Sequence, residues 1–383
     1  MGNGTARIGW IDEFKGFVLL LVCLYHVEQS FPCAEMGMLH LSALRMSAFF
    51  FISGMLFSTR RFPNFKDYFV HKTKVLLIPY ILLSLLFLAL DPVLYNFDLF
   101  PKAPRMTVMN IRPEIVTVWD YIYWNLAKIF VAGKSSIGSG PLWFVFTLYS
   151  VSLMFYGVQK IVPRRFIFFI SLASLAGGWL LYINHIRLPL GIERDLTVLF
   201  FFANGWLCKG ATQSLSGNKL TQSFSGKNFR SAKNILTLAA AAIVSFCAYA
   251  YIEIPDPNFS IMNNDLGKDF RIFVASSFFG IAGLVTTFVL ADRLPNIAPI
   301  RIIKGILRNI SRNALVILAV HWYILLVMRL LFRETFNKPG IAYLSIAIVT
   351  ALVIAAIPLF RCKLYKLLGK ERVSIRESLN IRD

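Results

Sequence analysis

Long apolar runs separated by short polar segments organise this chain from end to end. The runs lie near Phe14–Phe31, Leu39–Ser58, Val75–Tyr95, Leu142–Tyr156, Phe166–Ile183, Leu196–Leu207, Ile235–Ile252, Ile272–Ala291, Ala314–Phe332 and Ile341–Phe360. Most approach the ~20 residues that a helix needs to cross a bilayer, and Leu196–Leu207 is the shortest. The pattern predicts an all-α integral membrane protein, a bundle of about ten transmembrane helices. Between the third and fourth runs, Asp91 to Gly140 is the longest non-spanning stretch. Its start is rich in proline (Pro92, Pro101, Pro104, Pro113), against regular structure, whereas Trp119 to Ala132 has the spacing of an interfacial helix. The Ser-, Gly- and Lys-rich stretch 210–234 reads as a linker. No internal repeat of the kind that builds many transporters is visible.

Charge supports the same topology. Lys and Arg collect in segments 1–16, 59–74, 157–165, 209–234, 292–312 and 361–383, which hold 27 of the 40, whereas the intervening segments hold nine. Because basic residues stay on the cytoplasmic side of short loops, both termini are expected in the cytoplasm, with 361–383 a basic tail. The net charge of +20 therefore follows from topology and points to lipid headgroups rather than nucleic acid. An apolar content of 57% and a mean hydropathy of +0.62 exclude a water-soluble globule. The first run has no small-residue cleavage site, so it reads as a span and not a signal peptide. Cys23, Cys33, Cys208, Cys247 and Cys362 show no metal-ligand spacing, and Cys33 alone is expected on the oxidising side.

Against this background the ionisable residues inside apolar runs stand out, since each is costly there unless it is used. His26 lies well inside the first run, with Lys15 eleven residues earlier. Eleven helical steps bring the two within about 20° of one azimuth, roughly 16 Å apart along the axis. Asp12 and Glu13 suit the first turn of that helix. Arg45 stands at the start of the second run and must find an anion or carbonyls, while Ser53-Gly54 removes bulk, so that a neighbouring helix or an extended ligand can come close. Trp143 and Phe144 open the fourth run. His321 lies mid-run in Ala314–Phe332, either as a hydrogen-bonding neighbour of a site or as an ordinary packed histidine.

These residues resemble a known family. Trp10-Ile11-Asp12-x-x-Lys15-Gly16 with His26 is similar to the Arg/Lys-x10-His motif of the membrane acyltransferase-3 family. Arg45-x-x-x-Phe49-Phe50-x-x-Ser53-Gly54 looks like its second motif, Pro141-Leu142-Trp143-Phe144 like its Leu-Trp-Phe element, and the segment Ile310 to His321 like its late span ending in histidine. The resemblance covers most of the chain as one domain. Lys15 in place of arginine looks like the fucose 4-O-acetylase-like branch.

The resemblance implies transfer of an acyl group, most often acetyl but also succinyl in principle, from cytoplasmic acyl-CoA to a hydroxyl of a cell-surface or lipid-linked glycan, in a bacterial inner membrane. No permanently bound cofactor and no metal is expected. Many relatives carry a fused extracytoplasmic hydrolase-like domain, and this chain is expected to complete transfer without one. Oxygen acylation needs a base, and imidazole suits the task. His26 is therefore the expected base, Arg45 the group that orients the acceptor or holds the oxyanion, and Asp12 with Lys15 the cytoplasmic entrance. Lys15, Arg60, Arg61, Lys72 or Lys74 would meet CoA phosphates, with Ser53, Gly54 and Trp143 along the donor, and His321 and Phe144 near the acceptor. Direct attack and a covalent acyl-His26 intermediate both satisfy these residues. The competing reading is a proton- or anion-coupled transporter or flippase built on His26, Arg45 and His321. Oligomeric state is left open.

Overall fold

The computed structural model describes residues 9–31, 33, 35–60, 62–96, 115–215, 232–253, 259–267, 269–293, 297–332 and 338–368. They form an all-helical bundle: α1 (Gly9–Ser30), α2 (Ser42–Leu56), α3 (Phe65–Lys72), α4 (Ile78–Asn96), α5 (Val118–Phe130), α6 (Trp143–Ile161), α7 (Ile167–Ile183), α8 (Ile192–Leu215), α9 (Ala232–Glu253), α10 (Phe270–Arg293), α11 (Ala298–Arg312), α12 (Ala314–Leu331) and α13 (Pro339–Pro358). A π-helical turn at Thr73–Leu77 joins α3 to α4. Among the described residues there is no strand, only an isolated bridge between Ser260 and Asp265.

Eight helical segments are long and apolar enough to cross a membrane. The helices missing from that set among the ten expected are α1 and α8. Both are long enough, at 22 and 24 residues, but α1 carries Asp12, Glu13, Lys15 and Glu28, and α8 opens with Glu193-Arg194-Asp195. The short run expected at Leu196–Leu207 is thus the middle of a longer helix whose charged first turn the apolar pattern assigns to a loop. The segment 292–312, expected as a loop, contains α11, an amphipathic helix. It buries Leu307 and Ser311 and exposes Ile302, Ile303 and Ile306 beside its basic residues, the layout of a helix lying in a membrane interface. The helix expected near Trp119 to Ala132 is α5. The interior of the 210–234 stretch, Pro101, Pro104 and Pro113, Arg61 and most of the basic tail lie outside the described residues.

Glycines set the closest helix contacts. A Cβ on Gly54 of α2 would run into the backbone carbonyl of Phe202 in α8, and one on Gly205 of α8 into the carbonyl of Phe51 in α2. Gly16 of α1 meets the Leu307 carbonyl of α11 in the same way. Such backbone-to-backbone approach is how membrane helices associate when hydrocarbon offers no hydrophobic drive. Gly54→Ala would gain up to about 1 kcal/mol of helix propensity, yet the overlapping atom is a carbonyl that cannot swing aside, and overpacking costs about 1–3 kcal/mol. The expected net result is a lower midpoint for thermal unfolding in detergent; an unchanged or raised midpoint would show that the two helices can part without cost.

Candidate functional site

A cavity of about 470 Å³ lies between α1, α2, the start of α6, α12 and the loops 131–142 and 259–265. His26, Arg45, Trp143 and Phe144 all line it. His26 reaches it from α1, where helical spacing lets Tyr25, His26 and Gln29 interact one turn apart. The Gln29 amide donates to Tyr25 Oη at 2.9 Å and turns its oxygen to His26 Nδ1 at 3.1 Å. With Gln29 so placed, Nδ1 carries the hydrogen and Nε2 keeps a free lone pair, because an amide oxygen can only accept. Trp322 meets the His26 ring edge-on at 4.9 Å, and His321 lies at 5.4 Å.

Arg45 is buried on α2. Its Nη1 donates to the Met38 carbonyl, and its guanidinium stacks 3.9 Å from the Tyr25 ring centroid. Tyr25 therefore touches Arg45 on its face and Gln29 at its hydroxyl, linking the cation to the imidazole through two side chains absent from the expected set. His321 is 1% exposed and sits behind His26, with Nδ1 on the Ile317 carbonyl at 2.6 Å and no partner for Nε2 among the described residues. Its neighbour Trp322 lines the cavity and donates from Nε1 to the Ile137 carbonyl at 2.8 Å, which pins the 131–142 loop to α12.

A second, smaller cavity of about 240 Å³ contains Lys15, Ser53, His71, Lys72 and Tyr68. Phe49 stands between the two: its ring lines the larger cavity and lies 5.9 Å from Lys15 Nζ of the smaller. Phe144 crosses it at 4.5 Å and Phe50 packs at 5.0 Å from Phe144, completing an aromatic partition. The remaining expected residues fall elsewhere. Gly54 faces the α8 backbone and not a cavity, Arg60 and Lys74 are exposed, and Asp12 is half-buried away from both cavities. It is Glu13 that turns inward, 1% exposed and held by Arg308 of α11 through Nε at 2.9 Å and Nη2 at 2.5 Å.

Another buried ionic group buttresses the large cavity. Arg194, 1% exposed, donates to the carbonyls of Gly133 and Leu190, lies 3.7 Å from Asp195 and 5.5 Å from the Trp143 ring. Asp195 accepts from Ser150 of α6. Gly133 and Gly191 take positive φ (58° and 72°) in the turns that Arg194 joins, a conformation glycine adopts freely. Among the described residues no group of His, Cys, Asp and Glu is arranged to hold a metal ion.

A base, a cation and an aromatic wall facing one chamber, with a second basic chamber behind the wall, suit a reaction between two substrates arriving from different directions. Comparison with known families decides the class: an acyltransferase domain, that of the acyltransferase-3 family, matches residues 8–359. The chain belongs to the acyltransferase-3 family. No curated protein and no solved structure matches it. Acyltransferase-3 membership and the eight membrane-length helices make the protein a multi-pass membrane acyltransferase.

Proposed function

We propose that this acyltransferase-3 protein is an O-acyltransferase that takes an acyl group, most readily acetyl, from cytoplasmic acyl-CoA and passes it to a hydroxyl of an extracytoplasmic or lipid-linked glycan. One observation carries the reading: Lys15 and His26, on one helix, open into different cavities that an aromatic wall divides. Counting α1 and α8 as spans gives ten, with both termini in the cytoplasm of a bacterial inner membrane. The smaller cavity then faces the cytoplasm and the larger the opposite side. The motif around Lys15 fits the fucose 4-O-acetylase-like branch.

In this reading CoA phosphates meet Lys15 and Lys72, and the slim pantetheine arm passes Phe49 and Phe144 to bring the thioester to His26. His26 Nε2 takes the proton of the acceptor hydroxyl as its oxygen attacks the carbonyl carbon. The carbon–sulfur bond then breaks, and the departing CoA thiolate recovers the proton from the imidazolium. Arg45, held by Met38 and Tyr25 at the same chamber, is placed to stabilise the oxyanion or orient the acceptor.

Purified protein in nanodiscs, given acetyl-CoA, is expected to release free CoA thiol only when a glycan hydroxyl acceptor is added. Mass spectrometry should find a matching amount of ester. Equal thiol release without acceptor, and no ester on any glycan, would contradict transfer.

A further inference from the structure

Three cations line the large cavity: Arg45, Lys128 and Lys134. Lys128 belongs to the inward face of α5, where Tyr121, Asn125, Lys128 and Ile129 are the buried positions, and it is only 3% exposed. Its Nζ reaches one neutral acceptor, Asn125 Oδ1 at 3.4 Å. Lys134, half-buried in the following loop, donates from Nζ to another, Asn263 Oδ1 at 3.2 Å. Arg45 is satisfied by a carbonyl and an aromatic face. Among the described residues none of the three is within ion-pair distance of a carboxylate.

The carboxylates nearby make their hydrogen bonds to other groups, with Asp91 Oδ1 and Glu253 Oε2 left without a partner among the described residues. Asp91 accepts from Tyr121 Oη at 3.2 Å and the Gly138 amide at 3.3 Å. Glu193 accepts from the Leu188 amide and lies 4.0 Å from Arg187. Glu253 is bound to Ser42 and the Ala43 amide. Asp265 alone reaches the cavity wall, and its Oδ1 accepts from the Gly267 amide. Buried cations with no carboxylate in contact are expensive, and three of them on the wall of one chamber suit it to an anion.

Resting on the acyl-transfer reading, we propose that the acceptor bound in this chamber is anionic: a glycan whose carboxylate or phosphate is gripped by Lys128 and Lys134 while its hydroxyl meets His26. The donor's own phosphates are assigned to the other cavity, that of Lys15 and Lys72, which Phe49 and Phe144 divide from the chamber lined by Lys128 and Lys134. Burial pushes both lysines down to about 8, helped at Lys134 by Arg194, Arg187 and Lys128 and opposed by Glu193, and opposed at Lys128 by Asp91. An arriving anion reverses that loss. As pH rises through about 8 the lysines lose their protons, so affinity for an anionic acceptor falls while that for a neutral one does not follow the same curve.

The test is equilibrium binding of three octyl glycosides of one hexose to the purified full chain, with acetyl-CoA turnover on each: the neutral glucoside, the glucuronide, and a phosphodiester-linked glucose. The expected result is about tenfold tighter binding of one or both anionic probes, the scale of one charge-assisted hydrogen bond, with preference for glucuronide or phosphodiester telling carboxylate from phosphate. Lys134→Gln and Lys128→Met should each erase most of that preference, and Lys134→Arg should retain it in a protein of unchanged melting point. Ester formation with equal binding of all three probes would overturn the anionic assignment and leave acyl transfer standing. Absence of ester on every probe would overturn both.

Discussion

His26→Ala is expected to lower acyl transfer by about 10²–10⁴-fold, the usual worth of a positioned general base, while the protein inserts and melts close to the parent. The separation of effects follows from the site. His26 is half-buried against a cavity, and its ring neighbours, Trp322 and His321, are held by the Ile137 and Ile317 carbonyls independently of it. Loss of the ring therefore removes a base without unpacking α12. Gln29→Leu, which takes away the acceptor on Nδ1, should cost less in rate, because it frees the ring to turn and not the chemistry itself. Turnover in His26→Ala equal to the parent's would remove His26 from the mechanism.

The largest expected effect on stability lies at the other end of α1. Arg308→Ala strands the Glu13 carboxylate, 1% exposed, without its partner. Breaking a fully buried pair costs about 3–5 kcal/mol. Because the Arg308 side chain is 42% exposed, part of that cost is relieved by water, and about 2–3 kcal/mol is the expectation. The loss should appear as a lower midpoint in thermal unfolding. Glu13→Gln combined with Arg308→Ala should recover much of it, since the amide leaves no buried charge. Equal destabilisation in the single and double variants would show that the contact matters only through packing of α11 on α1.

The bundle and four of the side chains that line the larger cavity were legible because charge is rare in apolar runs: His26 and Arg45 stand out against their neighbours, and Trp143-Phe144 marks the start of α6. What was not legible depended on partners from distant chain. Asp12 and Glu13 are adjacent, one helical step apart, and only the arrival of α11 with Arg308 decides that Glu13 turns inward. Arg194 follows Gly191 and precedes an apolar run, so pattern alone treats it as a loop charge, although it joins two turns beneath Trp143. Lys128 and Lys134 fall in the long segment where basic residues say least about topology, and their meaning appears only when α5 folds against the chamber. Tyr25 and Gln29 flank His26 at helical spacing, a signal present in the sequence but hidden by the polar end of the run. Gly54 could have served a ligand or a helix, and the α8 backbone takes the place.

Transfer across the membrane through the wall at Phe49 and Phe144 is the central claim, and sidedness tests it directly. Proteoliposomes holding a membrane-impermeant glycan acceptor in the lumen are given labelled acetyl-CoA outside, with protein oriented so that the Lys15 cavity faces the donor. The account predicts labelled ester on the lumenal glycan, and none when donor and acceptor are both confined to the side of the large cavity. Ester formed only when donor and acceptor share that compartment would contradict it.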